Sequence, residues 1–259
     1  PKDFYYYPFG GPHPIRDKQE VFPKRSKRIQ GKPKISVFLS GGGTNLQQII
    51  EGIENNKIDA EIIDVVSNKA DAYGLERAKK HTIPTTVLPY QGEFSDQQKR
   101  AVYDKSLINH IEKTKPDLIV LAGWMMVLGN TFLEAMQQWE IPVINLHPAL
   151  MTEDHQPQVK TSKGAIPVLR GQLHEVLEQT FAQNLPLNGV TVHQIIPADI
   201  YDTGPIIISA EVSRKASDTK ETYEKKIHQT EHLLLPTAIK RVLHVMQSGI
   251  DVSKGEFPW

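Results

Sequence analysis

The run VINLHPAL (143–150) places two polar side chains, Asn145 and His147, at the end of an apolar stretch. Residues two apart on a strand share a face and lie about 6.5–7 Å from one another. An Asn amide can hold an oxyanion or orient a carbonyl, and an imidazole can give or take a proton near neutral pH. Together they could act on a carbonyl group. A capped strand end with a hydrogen-bonded His explains the same residues.

Three other stretches could carry chemistry. SGGGTN (40–45) lies between an apolar run and a helical pattern. Its glycines permit a tight turn, and the free N–H groups of the following helix make an anion site. Leu46 stands where the dinucleotide fingerprint needs its third glycine, and no Gly-Lys-Ser/Thr ends the loop as in a Walker motif. A smaller phosphate remains, as does a tight turn with no ligand. DIYDTGP (199–205) offers Asp202 in a Gly-containing turn; a carboxylate beside a His raises its pKa and fixes its tautomer, though Asp before Thr-Gly is also ordinary turn chemistry. HQTEH (228–232) spaces His228 and His232 four apart on a helix, a zinc-ligand spacing, but no other feature of a peptidase accompanies it. A polar helix face is the favoured reading, with no metal. His155, His174, His193 and His244 are assigned to surface or packing.

Strands and helices must deliver these residues. Short apolar runs at 35–40, 60–68, 85–90, 117–123 and 142–147 alternate with helical periods at 44–56, 72–82, 95–114 and near 130–138, with Ser95 as an N-cap for the third. Alternation of this kind predicts βαβ units and a doubly wound, mostly parallel sheet, Rossmann-like in its first half. Asn145 and His147 then sit at the carboxyl end of a parallel strand, where open α/β sheets bind ligands. Beyond 150 the spacing predicts a surface loop at 151–163, a helix within 164–182, and two extended segments flanking the turn PADIYDTG. A C-terminal helical period at 218–247 should be kinked or split by Pro236.

Composition narrows the class. The chain has 259 residues, 30 basic and 30 acidic, so no global charge favours nucleic acid or an anionic membrane. It has no cysteine, which excludes a disulfide scaffold and thiol chemistry. No apolar run reaches the roughly 20 residues of a spanning helix. Residues 1–33 are rich in Pro, Gly, Lys and Arg and carry Phe4, Tyr5, Tyr6, Tyr7 and Phe9, without the apolar core of a signal peptide. They are read as an arm that packs on this domain or on a second copy, followed by a domain at 34–248 and a tail at 249–259. A cytoplasmic enzyme is the expectation, with a homodimer possible.

From about Lys34 to Met246 the chain resembles the glycinamide ribonucleotide (GAR) transformylase family of folate-dependent formyltransferases. SGGGTNLQ, SNKADAYGLERA, PDLIVLAGWMMVLG, NLHPAL, DTGPII and QTEH carry the likeness. The resemblance implies purine-biosynthetic formyl transfer from 10-formyltetrahydrofolate to the amine of GAR, without a metal. It places the GAR phosphate on Gly43, Thr44 and Asn45, and Glu231 near the glycinamide end. Asn145, His147 and Asp202 become the catalytic trio. Arg100, Met125, Met126, Val127 and Leu128, with Asn145, face the folate. Two departures stand out. Met126 occupies a position where the family often has Arg, and the stretch after Leu150 is longer than, and unlike, the family's Leu-Pro segment. Alternatives are formyl transfer to another phosphorylated amine such as an amino sugar nucleotide, and a non-catalytic binding homologue.

Overall fold

Alternation within each strand decides which face it buries. In β1 (Lys34–Leu39), Ile35, Val37 and Leu39 enter one apolar layer while Phe38 enters the other. The structure, a computed structural model, describes residues 29, 31–90, 97–152, 156–197 and 204–248. Most of the N-terminal arm, Ser95, His155, Asp202 and the C-terminal tail lie outside the described residues.

After β1 come α1 (Thr44–Glu54), β2 (Glu61–Ser67), α2 (Tyr73–Lys80), β3 (Thr85–Val87), α3 (Gln97–Thr114), β4 (Leu118–Leu121), α4 (Asn130–Gln138) and β5 (Val143–His147). The chain continues through β6 (Gln158–Thr161), β7 (Gly164–Pro167), α5 (Leu173–Ala182), β8 (Leu187–Ile195), β9 (Ile206–Ser213) and α6 (Lys220–Ser248). Seven strands form one sheet in the order β3-β2-β1-β4-β5-β8-β9. Pairs from β3 through β5 are parallel, and β8 and β9 add antiparallel. Helices α1, α2 and α6 cover one face; α3 and α4 cover the other. The α/β expectation holds as a mostly parallel, mixed sheet. Among the described residues no helix is long and apolar enough to cross a membrane.

The strand order reverses at β1. Successive strands run outward on one side to β3, then the chain crosses to β4 on the other side. Loops following β1 and β4 therefore diverge and leave a crevice.

Two expectations are corrected. The stretch predicted as a surface loop contains a β6–β7 hairpin instead, turning at Ser162-Lys163 with Gly164 at φ 101°. Buried Glu211 on β9 accepts Ser162 N–H at 2.8 Å and the Ser162 hydroxyl, and Ile166 packs with Leu150 and Leu187. These tertiary contacts order a sequence that has no periodicity of its own. Pro236 does not split the last helix, which runs as one 29-residue element. Leu234, Leu235, Ala238 and Ile239 are buried on both sides of the proline, so packing offsets the lost hydrogen bond.

Candidate active site

A cavity of about 780 Å³ opens at the crevice. Its walls come from the loop after β1, the segment after β4, the end of β5, the chain after β7, and α6. The ends of the parallel strands β1, β4 and β5 bring their segments to one edge, and the end of β8 and the starts of α4 and α5 complete the lining.

The glycine loop takes its form from two constraints. Gly43 lies at φ 70°, and a Cβ there would come within 2.5 Å of Gly74 Cα. Only glycine meets both the left-handed backbone and the close approach. Helix α1 begins at the next residue, so its unpaired N–H groups and positive dipole end face the loop. Gly43, Thr44 and Asn45 all line the cavity.

The glycine loop and the segment after β4 are joined at their bases. Ser40 N–H donates to Gly123 O at 2.9 Å, and Met125 N–H donates to Ser40 Oγ at 2.8 Å. From there Met125, Met126, Val127 and Leu128 line the cavity, Met125 being 44% exposed at its mouth. Behind them, Asp104 Oδ1 accepts Gly129 N–H at 3.2 Å. Burial raises the Asp104 carboxyl above its usual range, opposed by the Gly129 and Phe132 amides and by the Arg100 charge. Arg100 is not among the lining residues; its charge acts on the neighbouring Asp104 carboxyl.

Helix α6 closes the glycine-loop end. Glu231, 5% exposed, accepts from Asn45 Nδ2 at 3.2 Å and from His228 Nδ1 at 2.9 Å on one oxygen, Oε2. The Glu231 hydrogen bond, ahead of the opposing burial, raises the His228 pKa; burial lowers that of His232. The imidazoles of His228 and His232 stack at 6.4 Å between centroids, and His228 is engaged with carboxylates. A carboxylate of α6 thus reaches the start of α1 beside the glycine loop, a link that sequence spacing cannot show.

Asn145 and His147 occupy the opposite wall. They alternate with Ile144 and Leu146, which enter the far apolar layer, so the shared face is confirmed. His147 is 3% exposed, and its Nε2–H donates to Leu169 O at 3.3 Å. Leu169 follows the hairpin, so the unfamiliar stretch after Leu150 holds the imidazole. Asn145 Nδ2 donates to His193 Nε2 at 3.2 Å, which sets His193 as its Nδ1–H tautomer. His193, assigned to surface or packing, is 0% exposed and stands opposite Asn145 in the β5–β8 ladder. One signal was available. Thr191 and His193, polar and two apart in an apolar run, mirror the spacing of His147 and Asn145 and pair with them in register. His174 and His244 are exposed, as expected.

A glycine loop at a helix start, an Asn–His pair at a strand end, and an apolar groove between them define an α/β enzyme of the formyl transferase class. The family model described as formyl transferase matches residues 33–239. The chain belongs to the phosphoribosylglycinamide formyltransferase family. The Schizosaccharomyces pombe member is 37% identical over 212 residues, covering 80% of this chain and 95% of the relative. A Dictyostelium discoideum member is 38% identical over 213 residues, covering 80% and 96%. The Coxiella burnetii phosphoribosylglycinamide formyltransferase structure superposes with a TM-score of 0.67 at 33% identity, covering 82% of this chain and 88% of that one.

Proposed function

We propose that the chain transfers the formyl group of 10-formyltetrahydrofolate to the amine of GAR. The observation that carries this reading is one cavity with an anion-binding loop at one end and an Asn–His pair at the other. The GAR phosphate would rest on Gly43, Thr44 and Asn45, with Glu231 toward the rest of GAR. The folate's flat ring suits the apolar lining of Leu121, Met126, Leu128, Leu133 and Ile195. Met126 offers no charge to a folate carboxylate; Arg170, which lines the same cavity, does.

In the reaction the GAR amine attacks the formyl carbon, and the carbonyl oxygen becomes an oxyanion. Asn145 has two N–H bonds on Nδ2; with one given to His193, the second is directed to that oxygen. Leu169 fixes the ring of His147 and keeps a proton on Nε2, so exchange with the substrate falls to Nδ1. The amine proton passes to N10 of the folate as the carbon–N10 bond breaks, giving formyl-GAR and tetrahydrofolate. Asp202 is proposed to assist this proton transfer on the strength of the resemblance. Transfer is direct, with neither a metal nor a covalent enzyme intermediate. Binding energy at the phosphate, away from the reacting atoms, orients the amine. A cytoplasmic location, the division at 33 and 249, and pairing of two copies through the arm belong to the same proposal; sizing the chain with and without residues 1–33 tests the last.

Purified protein given GAR and 10-formyltetrahydrofolate is expected to form formyl-GAR and tetrahydrofolate in equal amounts. Turnover with another phosphorylated amine and none with GAR would overturn the substrate.

A further inference from the structure

Two glycines of the phosphate loop, Gly41 and Gly42, have open space where a Cβ would stand and ordinary backbone angles. Nothing in their own side chains fixes which way their peptide groups point, and glycine peptides turn over easily. Something else must orient them.

Helix α2 supplies it. Gly74 N–H at its start donates to Gly41 O at 3.0 Å. Arg77 Nε, one turn later, donates to Gly42 O at 2.8 Å. In a trans peptide the carbonyl and the following N–H point in opposite directions. With the carbonyls of Gly41 and Gly42 held on α2, the N–H groups of Gly42 and Gly43 turn to the other side. Gly41, Gly42 and Gly43 line the cavity, while Gly74 and Arg77 do not. Arg77 is itself braced: its Nη1 donates to Gln47 of α1 at 3.4 Å, and its guanidinium lies 5.1 Å from the Tyr73 ring centroid. Gly74 must be glycine for this contact, since a Cβ would meet Leu39 at 2.5 Å and Gly43 Cα at 3.2 Å.

We propose that α2 is a clamp on the phosphate loop and that Arg77 is a positioning residue for the phosphorylated substrate. It never touches the substrate. It holds the Gly42 peptide in the orientation that presents Gly43 N–H to an anion. The inference rests on the assignment of the phosphate to this loop, and it accounts for SNKADAYGLERA accompanying the glycine loop in one sequence.

Arg77→Ala is expected to raise KM for GAR by about tenfold, the loss of one charge-assisted hydrogen bond. KM for 10-formyltetrahydrofolate and kcat should stay near wild type. Arg77→Lys, which keeps a donor but loses the planar fork, should recover part of the GAR affinity. An unchanged KM for GAR, or equal loss for both substrates, would overturn the clamp. Amide hydrogen exchange reads it independently of turnover. Exchange at Gly42 and Gly43 should quicken in Arg77→Ala while β1 and α1 keep their protection, and an unchanged rate at those two amides overturns the inference. Failure of the wild-type chain to turn GAR over would instead remove the substrate assignment and leave the exchange result to judge the clamp.

Discussion

The two sides of the sheet build the same cavity by different means. On the parallel side, β1, β4 and β5 each end at one edge, and what they deliver follows directly in sequence: SGGGTN, WMMVL and the Asn145–His147 pair. On the antiparallel side, β8 reaches the site laterally. His193 is two residues short of the strand's end and meets Asn145 only because the two strands pair in that register. The hairpin acts at a further remove, through the carbonyl of Leu169 on His147. Parallel strands place the glycine loop and the Asn145–His147 pair; the antiparallel addition and the chain after the hairpin hold that pair.

Substitutions test that contrast. The largest losses belong at the end of β5. Asn145→Ala is expected to lower kcat by about 10²–10³-fold as an oxyanion donor disappears. For His147→Ala the expected loss is at least about 10²-fold, and a near-normal rate would return it to a packing role. A smaller effect, roughly tenfold in kcat with little change in KM, is expected for His193→Ala. His193→Gln can still offer an oxygen to Asn145 Nδ2, so partial recovery distinguishes orientation from mere filling of space. Equal losses at His193 and Asn145 would erase the distinction between the two sides.

Glu211→Ala tests the hairpin. It should cost about 1–3 kcal/mol, read from the denaturant midpoint, because a buried carboxylate and its two Ser162 bonds are lost. Activity should change far less than stability. The smallest effect concerns pH. Glu231 raises the His228 pKa, with Glu224 adding to it and burial and the neighbouring His232 near at hand. A raised folded value means the stabilising contribution is fully present below the unfolded value of about 6.5 and fades as pH rises through the folded one. His228→Gln should flatten the stability–pH curve in that window, and an unaltered curve would remove the pairing from consideration.

The parallel side was legible because each of its signals is local. Apolar runs of six to nine residues gave strands, helical periods gave α1 to α4, and strand ends gave Asn145 and His147. The glycine loop followed from its place between an apolar run and a helical period, though only Gly43 has to be glycine. Antiparallel pairing and tertiary contact were not legible in the same way. Residues 151–163 show no periodicity, and the hairpin there exists because Glu211 and Leu187, far along the chain, receive it. Pro236 signalled a break, but burial on both sides kept α6 whole. Arg100 matched a family position, and its role beside the folate rests on that resemblance. The role of Asp202 rests on sequence, since it lies outside the described residues.

The central claim is that one cavity holds the phosphate on the glycine loop and the reacting amine beside the β5 pair. A crystal structure with GAR bound tests it most directly. Phosphate oxygens are expected within hydrogen-bond reach, about 3 Å, of the N–H groups of Gly43, Thr44 and Asn45, with the amine directed toward Asn145 and His147. A phosphate seated elsewhere, or an amine pointing out of the cavity, would contradict it.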